Sequence, residues 1–201
     1  MKFIRTVVII LSILALTNCS NKKQGNDKDQ IIFHVDSLLL DSTYTNSKLE
    51  IDFKPPKNWK VISDELMESI KANTETISDS INIDLQKVFM NKDISGFCFI
   101  STFEENYHSR NFVKDYILEI KKKNSEKSIK EGNFLYNDFK IMQLSIFDQD
   151  NINLKLIIQS QKQKTFLIDY IIPMKFYEDN LRAIESSIGS LSNKEKEGEK
   201  K

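Results

Sequence analysis

Apolar and polar positions recur along the chain with two periods, and together they predict a mixed fold. In the clearest strand pattern Ile152, Leu154, Leu156 and Ile158 face one way, while Asn153 and Lys155 face the other. That two-residue period is the mark of a strand with two unlike sides. Similar runs occupy Ile129–Leu135, Phe139–Phe147 and Thr165–Ile172, with Asp148-Gln149-Asp150-Asn151 and Gln161-Lys162-Gln163-Lys164 as turns. Connections this short predict an antiparallel meander. The other period is helical. Phe112, Val113, Tyr116, Ile117 and Ile120 form one apolar stripe, and Tyr177, Leu181, Ile184, Ile188 and Leu191 form a second after Pro173.

The first half of the chain predicts a hairpin, a helix and two strands. The first hairpin strand is expected within Ile31–Thr45, and Leu49–Phe53 alternates to supply the second, ended by Pro55-Pro56. Trp59–Ile62 resumes an extended course. Ser63 is placed to cap a helix carrying Asp64 and Glu65 in its first turn. Leu66, Met67, Ile70, Ile77 and Ile81 would share one face of it, with Asn73, Thr74 and Thr76 as breakers. Strands are then expected at Asp84–Met90 and Phe97–Phe103. The expected fold is α+β: an antiparallel β-sheet, one face wet and one dry, with the helices covering the dry side as an α/β sandwich.

The front of the chain follows neither period. Lys2 and Arg5 precede an apolar run from Val7 to Leu16. A bilayer span needs ~20 apolar residues, so this run has the length of a signal-peptide core. Leu16-Thr17-Asn18-Cys19 closes it, followed by the polar Ser20–Gly25. This junction resembles the lipobox of bacterial lipoproteins in Leu16, Thr17 and Cys19, and departs from it in Asn18, where Gly, Ala or Ser is usual. The resemblance implies cleavage before Cys19 and a diacylglyceryl thioether on that cysteine, usually joined by an N-acyl chain. It would anchor the chain to a bacterial membrane in the cell envelope, and Ser20 favours an outer membrane by analogy with sorting rules in some bacteria. An ordinary secretory signal with a chance cysteine and a short uncleaved anchor are the alternatives. Residues 1–18 are thus expected as a signal peptide, 19–30 as a lipidated tether, 31–192 as a single domain and 193–201 as a charged tail.

The domain has a resemblance of its own. Phe53-Lys54-Pro55-Pro56-Lys57-Asn58-Trp59, the ending Ile168-Asp169-Tyr170-Ile171-Ile172 and the helix after it are similar to the PsbP-like superfamily. In that superfamily an opening hairpin, a helix, a meander and a C-terminal helix follow in this order. Its members include an extrinsic photosystem subunit, a Ran-binding import factor and envelope lipoproteins. The resemblance implies a binding or assembly module rather than an enzyme and does not name its partner; together with the anchor it leads to an expected envelope protein or small ligand.

Charge and candidate chemistry alter this little. The chain has 29 basic and 29 acidic residues, and loss of Lys2 and Arg5 with a signal peptide would leave it slightly acidic. Nucleic acid calls for a basic face, so it is not expected as a partner. Lys121-Lys122-Lys123 falls at a predicted helix end, where it complements the helix dipole. Cys98 is left without a disulfide partner once Cys19 is lipidated, and reads as a small core residue. His34 and His108 have no metal-ligand spacing. A loop with Glu104, Glu105 and His108 could hold a cation, though a solvated turn is the simpler reading. Asp148–Asn151 lacks the glycine and distant glutamate of a calcium loop. Neither a G-x-S-x-G elbow nor a phosphate loop is present, and no metal or cofactor is expected. Trp59 could mark an interaction surface, but packing at the sheet edge is favoured. The alternative function is a hydrolase or ligand-processing protein whose site joins His108 to distant carboxylates.

Overall fold

The structure is a computed structural model that describes residues 31–73, 81–103, 112–160 and 164–194. Its centre is a seven-stranded antiparallel sheet built from β3 (Lys60–Val61), β4 (Ile83–Asn91), β5 (Gly96–Phe103), β6 (Ser128–Tyr136), β7 (Phe139–Phe147), β8 (Asn151–Gln159) and β9 (Phe166–Pro173). The strand order is β3-β4-β5-β9-β8-β7-β6. The last four strands form the expected meander, each antiparallel to the next. Asn137 and Asp138 join β6 to β7 with φ of 46° and 66°. Two successive left-handed residues match the twist of a tight hairpin, and Asn and Asp tolerate that region better than other side chains.

A second, small sheet holds the opening hairpin, β1 (Tyr44–Asn46) and β2 (Ile51–Phe53), with β10 (Ser192–Asn193) on the other side of β2. The hairpin is as expected, but its first strand is short and late. Residues before it run as an extended segment and a 3-10 turn at Ser37–Leu39, where the Asp36 carboxylate accepts from the Leu38 N–H at 3.1 Å. This local bond competes with strand pairing, as aspartate side chains do.

Among the described residues three α-helices complete the fold: α1 (Asp64–Asn73), α2 (Phe112–Lys123) and α3 (Tyr177–Gly189). Ser63 caps α1 as expected, its Oγ accepting from the Leu66 N–H at 3.3 Å. The predicted stripe of α1 was too long. Ile77 lies outside the described residues, and Ile81 is no longer helical but buried at the approach to β4. Leu191 likewise falls beyond α3, in the step from Ser190 to β10, and is buried there.

The expectation of one wet and one dry face does not hold. On the first face Ile100, Leu154, Ile168 and Tyr170 pack with Ile184 and Ile188 of α3 and with the small sheet. On the second face Leu144, Ile146, Ile157 and Leu167 pack with Tyr116, Ile117 and Ile120 of α2. The helices of the two apolar stripes therefore cover opposite sides, and the sandwich has three layers. The reason is legible in β9, where Phe166-Leu167-Ile168 and Tyr170-Ile171-Ile172 are apolar without alternation, the pattern of a strand buried on both faces. Each such side chain removed from water contributes ~1.5–3 kcal/mol.

Polar contacts fix α3 in place. The Tyr170 hydroxyl donates to Ser187 Oγ at 2.9 Å, the Ser187 hydroxyl donates to the Lys54 carbonyl, and the Tyr136 hydroxyl donates to the Gly189 carbonyl. Gly189 also lets the N-terminal segment approach closely. A Cβ there would stand 2.5 Å from Phe33 Cβ and 2.9 Å from Val35 Cγ2. Gly189→Ala is therefore expected to cost about 1–3 kcal/mol and to loosen residues 33–36. Urea unfolding and amide hydrogen exchange read both effects, and unchanged exchange at 33–36 would contradict the contact.

Candidate functional site

Two places on the domain gather polar groups that the core does not need. The first is on the α2 face of the sheet. Lys155 of β8 and Asp169 of β9 stand opposite each other in register. Lys155 Nζ meets Asp169 Oδ2 at 2.6 Å, and only 12% and 13% of the two side chains is exposed. Tyr116 reaches toward the pair from α2. Its phenol is held well above its ordinary range, first by burial and then by the Asp169 charge. Asp169 Oδ1, Asn153 Oδ1 and Tyr116 Oη are all buried without a hydrogen-bond partner among the described residues. Buried polar atoms left so cost ~1–3 kcal/mol each. Half-buried Phe97 and Phe99 stack nearby on β5 at 5.8 Å. In chemistry this is a charged pair with two further polar atoms, Asn153 Oδ1 and Tyr116 Oη, under an apolar cover.

The second place is a cleft of about 700 Å³ at one end of the sheet. The β4–β5, β7–β8 and β9–α3 connections converge there, presenting Asp93, Ser95, Gln149, Asp150, Lys175 and Phe176. Hydrogen bonds order its walls: the Met174 N–H donates to the Asp150 carbonyl at 2.8 Å, and the Asp93 N–H to the Asn91 side-chain Oδ1 at 3.0 Å. Ser95 closes the tight β4–β5 turn at φ 52°. Lys175 Nζ lies 4.7 Å from the Phe176 ring centroid, a cation–π contact. The cleft thus offers two carboxylates, one ammonium group and an aromatic ring to a ligand or a protruding partner side chain.

Of the residues singled out in sequence, those the structure describes are not brought together in one site. Cys19, Glu104, Glu105 and His108 lie outside the described residues. His34 is exposed in the extended N-terminal segment rather than in a strand. Asp148 turns away from the cleft to Lys127 at 2.7 Å, and this contact lowers its pKa. The turn Asp148–Asn151 is the β7–β8 hairpin tip, and its other members line the cleft. At the end of α2, Lys121 pairs with Glu131 at 2.7 Å. Among the described residues no group of three or more His, Cys, Asp or Glu could hold a metal ion.

Trp59 is 1% exposed and meets Tyr170 edge to face at 5.9 Å, which makes it a core residue on the first face. Cys98 is fully buried, and burial pushes its thiol far up. A thiol kept protonated does not attack electrophiles. With Cys19 replaced by Ser, Cys98 is expected to resist a disulfide reagent in the native protein and to react on unfolding in urea. Native-state reaction at the unfolded rate would show an open core.

The buried Lys155–Asp169 pair was missed in the sequence. Alternation in β8 puts Lys155 on the face opposite Leu154, where the sequence alone predicts solvent. A lone aspartate between Ile168 and Tyr170 was the available signal, because such a residue in a doubly buried strand needs a partner.

No family model matches the chain, and no curated protein matches it. Among solved structures the chain is similar to the solution structure of cyanobacterial PsbP (CyanoP) from Synechocystis sp. PCC 6803, at 11% identity and a TM-score of 0.47. The likeness covers 80% of this chain and 96% of that one.

Proposed function

We propose that this chain is a lipid-anchored protein of the bacterial envelope whose α+β domain serves as a binding or assembly module. The observation that carries the reading is the charged, apolar and lipobox-like succession from Lys2 to Cys19. A single acyl chain holds a protein to a bilayer only marginally, whereas two or more give stable attachment at ~0.8 kcal/mol per buried methylene. Lipid on Cys19 would therefore hold the domain without any spanning helix. None of the helices among the described residues is long and apolar enough to cross a membrane. The end cleft supports the binding half of the reading, since concave surfaces with a few convergent polar groups are where ligands and partner side chains are held.

The test is the intact mass of the protein extracted gently from bacterial membranes. A mature chain beginning at Cys19 with the mass of a diacylglyceryl group and an acyl chain is the expected result, together with a recurrent bound partner. Cys19→Ser should move the protein from the membrane to the soluble fraction. A chain still beginning at Met1, or cleaved and bare, would overturn the anchor.

A further inference from the structure

The N-terminal segment of the domain presents apolar side chains that the fold leaves uncovered. Ile32 and Leu38 are each 78% exposed, and Ile31 and Val35 are exposed beside them. Scattered exposed apolar residues need no explanation, but four within eight residues form a strip. Two residues of this strip are fastened to the domain. Phe33 is inserted against Phe134 and Tyr136, at 5.8 and 4.9 Å between ring centroids. The Asp36 N–H donates to Ser186 Oγ at 3.1 Å, and Arg182 Nη2 meets Asp36 Oδ2 at 3.2 Å. With Phe33 and Asp36 fastened to the domain, Ile32 and Leu38 are kept pointing outward.

We infer that this strip is a membrane-docking surface, and that Ile31, Ile32, Val35 and Leu38 enter the boundary between lipid headgroups and acyl chains. The inference rests on the Cys19 anchor proposed above. Ile31 follows Cys19 by only twelve residues. A chain of that length reaches ~40 Å when fully extended and ~20 Å on average as a flexible coil. A domain of this size is itself roughly 40 Å across. The tether is thus too short for the strip to average far from the bilayer, and the strip is the part of the domain nearest the anchor along the chain. Apolar side chains held at that distance find acyl chains before any other apolar surface, and seat themselves ~5–10 Å into the boundary. Docking by the strip, which lies against α3, would turn α2, on the opposite face of the sheet, away from the membrane.

The test uses the chain beginning at Cys19, coupled through that thiol to a maleimide lipid in phosphatidylethanolamine–phosphatidylglycerol vesicles. Cys98 is buried and does not compete for the coupling. Because the anchor is supplied chemically, the outcome is independent of natural lipidation, which the intact mass reads separately. A tryptophan is placed by Leu38→Trp on the strip or by Leu118→Trp on the exposed side of α2, with buried Trp59 as the common background. Acyl chains brominated near the headgroup should quench Leu38→Trp ~3-fold or more above Leu118→Trp, at the shallow depth of an interfacial segment. Ile32→Trp should repeat the result. Equal quenching of the two faces would overturn the inference. So would a blue-shifted Leu38→Trp that brominated lipid does not quench, which would assign the strip to a protein contact.

Discussion

Lys155→Met is expected to destabilise the domain by about 3–5 kcal/mol, because it leaves the Asp169 carboxylate buried without its counter-ion. The pair is a 2.6 Å contact with little of either side chain exposed, so solvent cannot screen the charge that remains. Tyr116 and Asn153 offer limited compensation. Asp169 Oδ1 has no hydrogen-bond partner among the described residues. The double substitution Lys155→Met with Asp169→Leu should recover most or all of the loss, since a buried ion pair and a well-packed apolar pair of similar volume are often close in stability. Urea unfolding followed by Trp59 fluorescence of the wild type, Lys155→Met, Asp169→Leu and the double variant gives four free energies, and the cycle gives the coupling. A single-mutant loss below ~1 kcal/mol would show that water reaches the pair, as at an ordinary surface salt bridge.

Trp59→Ala should be of similar size, at about 3–5 kcal/mol. The indole is one of the largest fully buried side chains, and it fills the space between Tyr170 and the β4–β5 turn. A Cβ added at Gly96 would lie 3.2 Å from Trp59 Cη2, which shows how closely the turn sits on the ring. Trp59→Phe should keep much of the stability by retaining an aromatic edge on Tyr170. Circular dichroism is the suitable probe, because the substitution removes the only tryptophan. At ~2–4 °C per kcal/mol for a chain of this size, the melting temperature should fall by roughly 10 °C. An unchanged melting temperature with loss of a membrane-bound partner would make Trp59 a contact residue instead.

Both predictions turn on residues whose type was plain in the sequence and whose surroundings were not. Trp59 beside Pro55-Pro56 was expected at a sheet edge, and it is indeed next to the edge strand β3, but its partner Tyr170 comes from a central strand 111 positions later. Lys155 was legible as the polar member of an alternating strand. Its burial depended on Asp169 and on a helix, α2, that ends more than thirty residues before it.

Local periodicity determined the elements. The alternation at Ile152–Ile158, the stripe of α2, the stripe of α3 up to Ile188, the Ser63 cap and the Asp148–Asn151 turn are each properties of a few neighbouring residues, and each was recovered in place. The α+β class follows from them, because an antiparallel sheet with apolar side chains requires cover. Tertiary structure alone decided which helix covers which face, since a helix stripe is equally suited to either side of a sheet that is apolar on both. It also decided that Ser192–Asn193 pairs with Ile51–Asp52 from the far end of the domain, and that Ile32 and Leu38 remain outside while Phe33 is drawn in. Those outcomes depend on register and packing between distant segments, and no window of neighbouring residues carries that information.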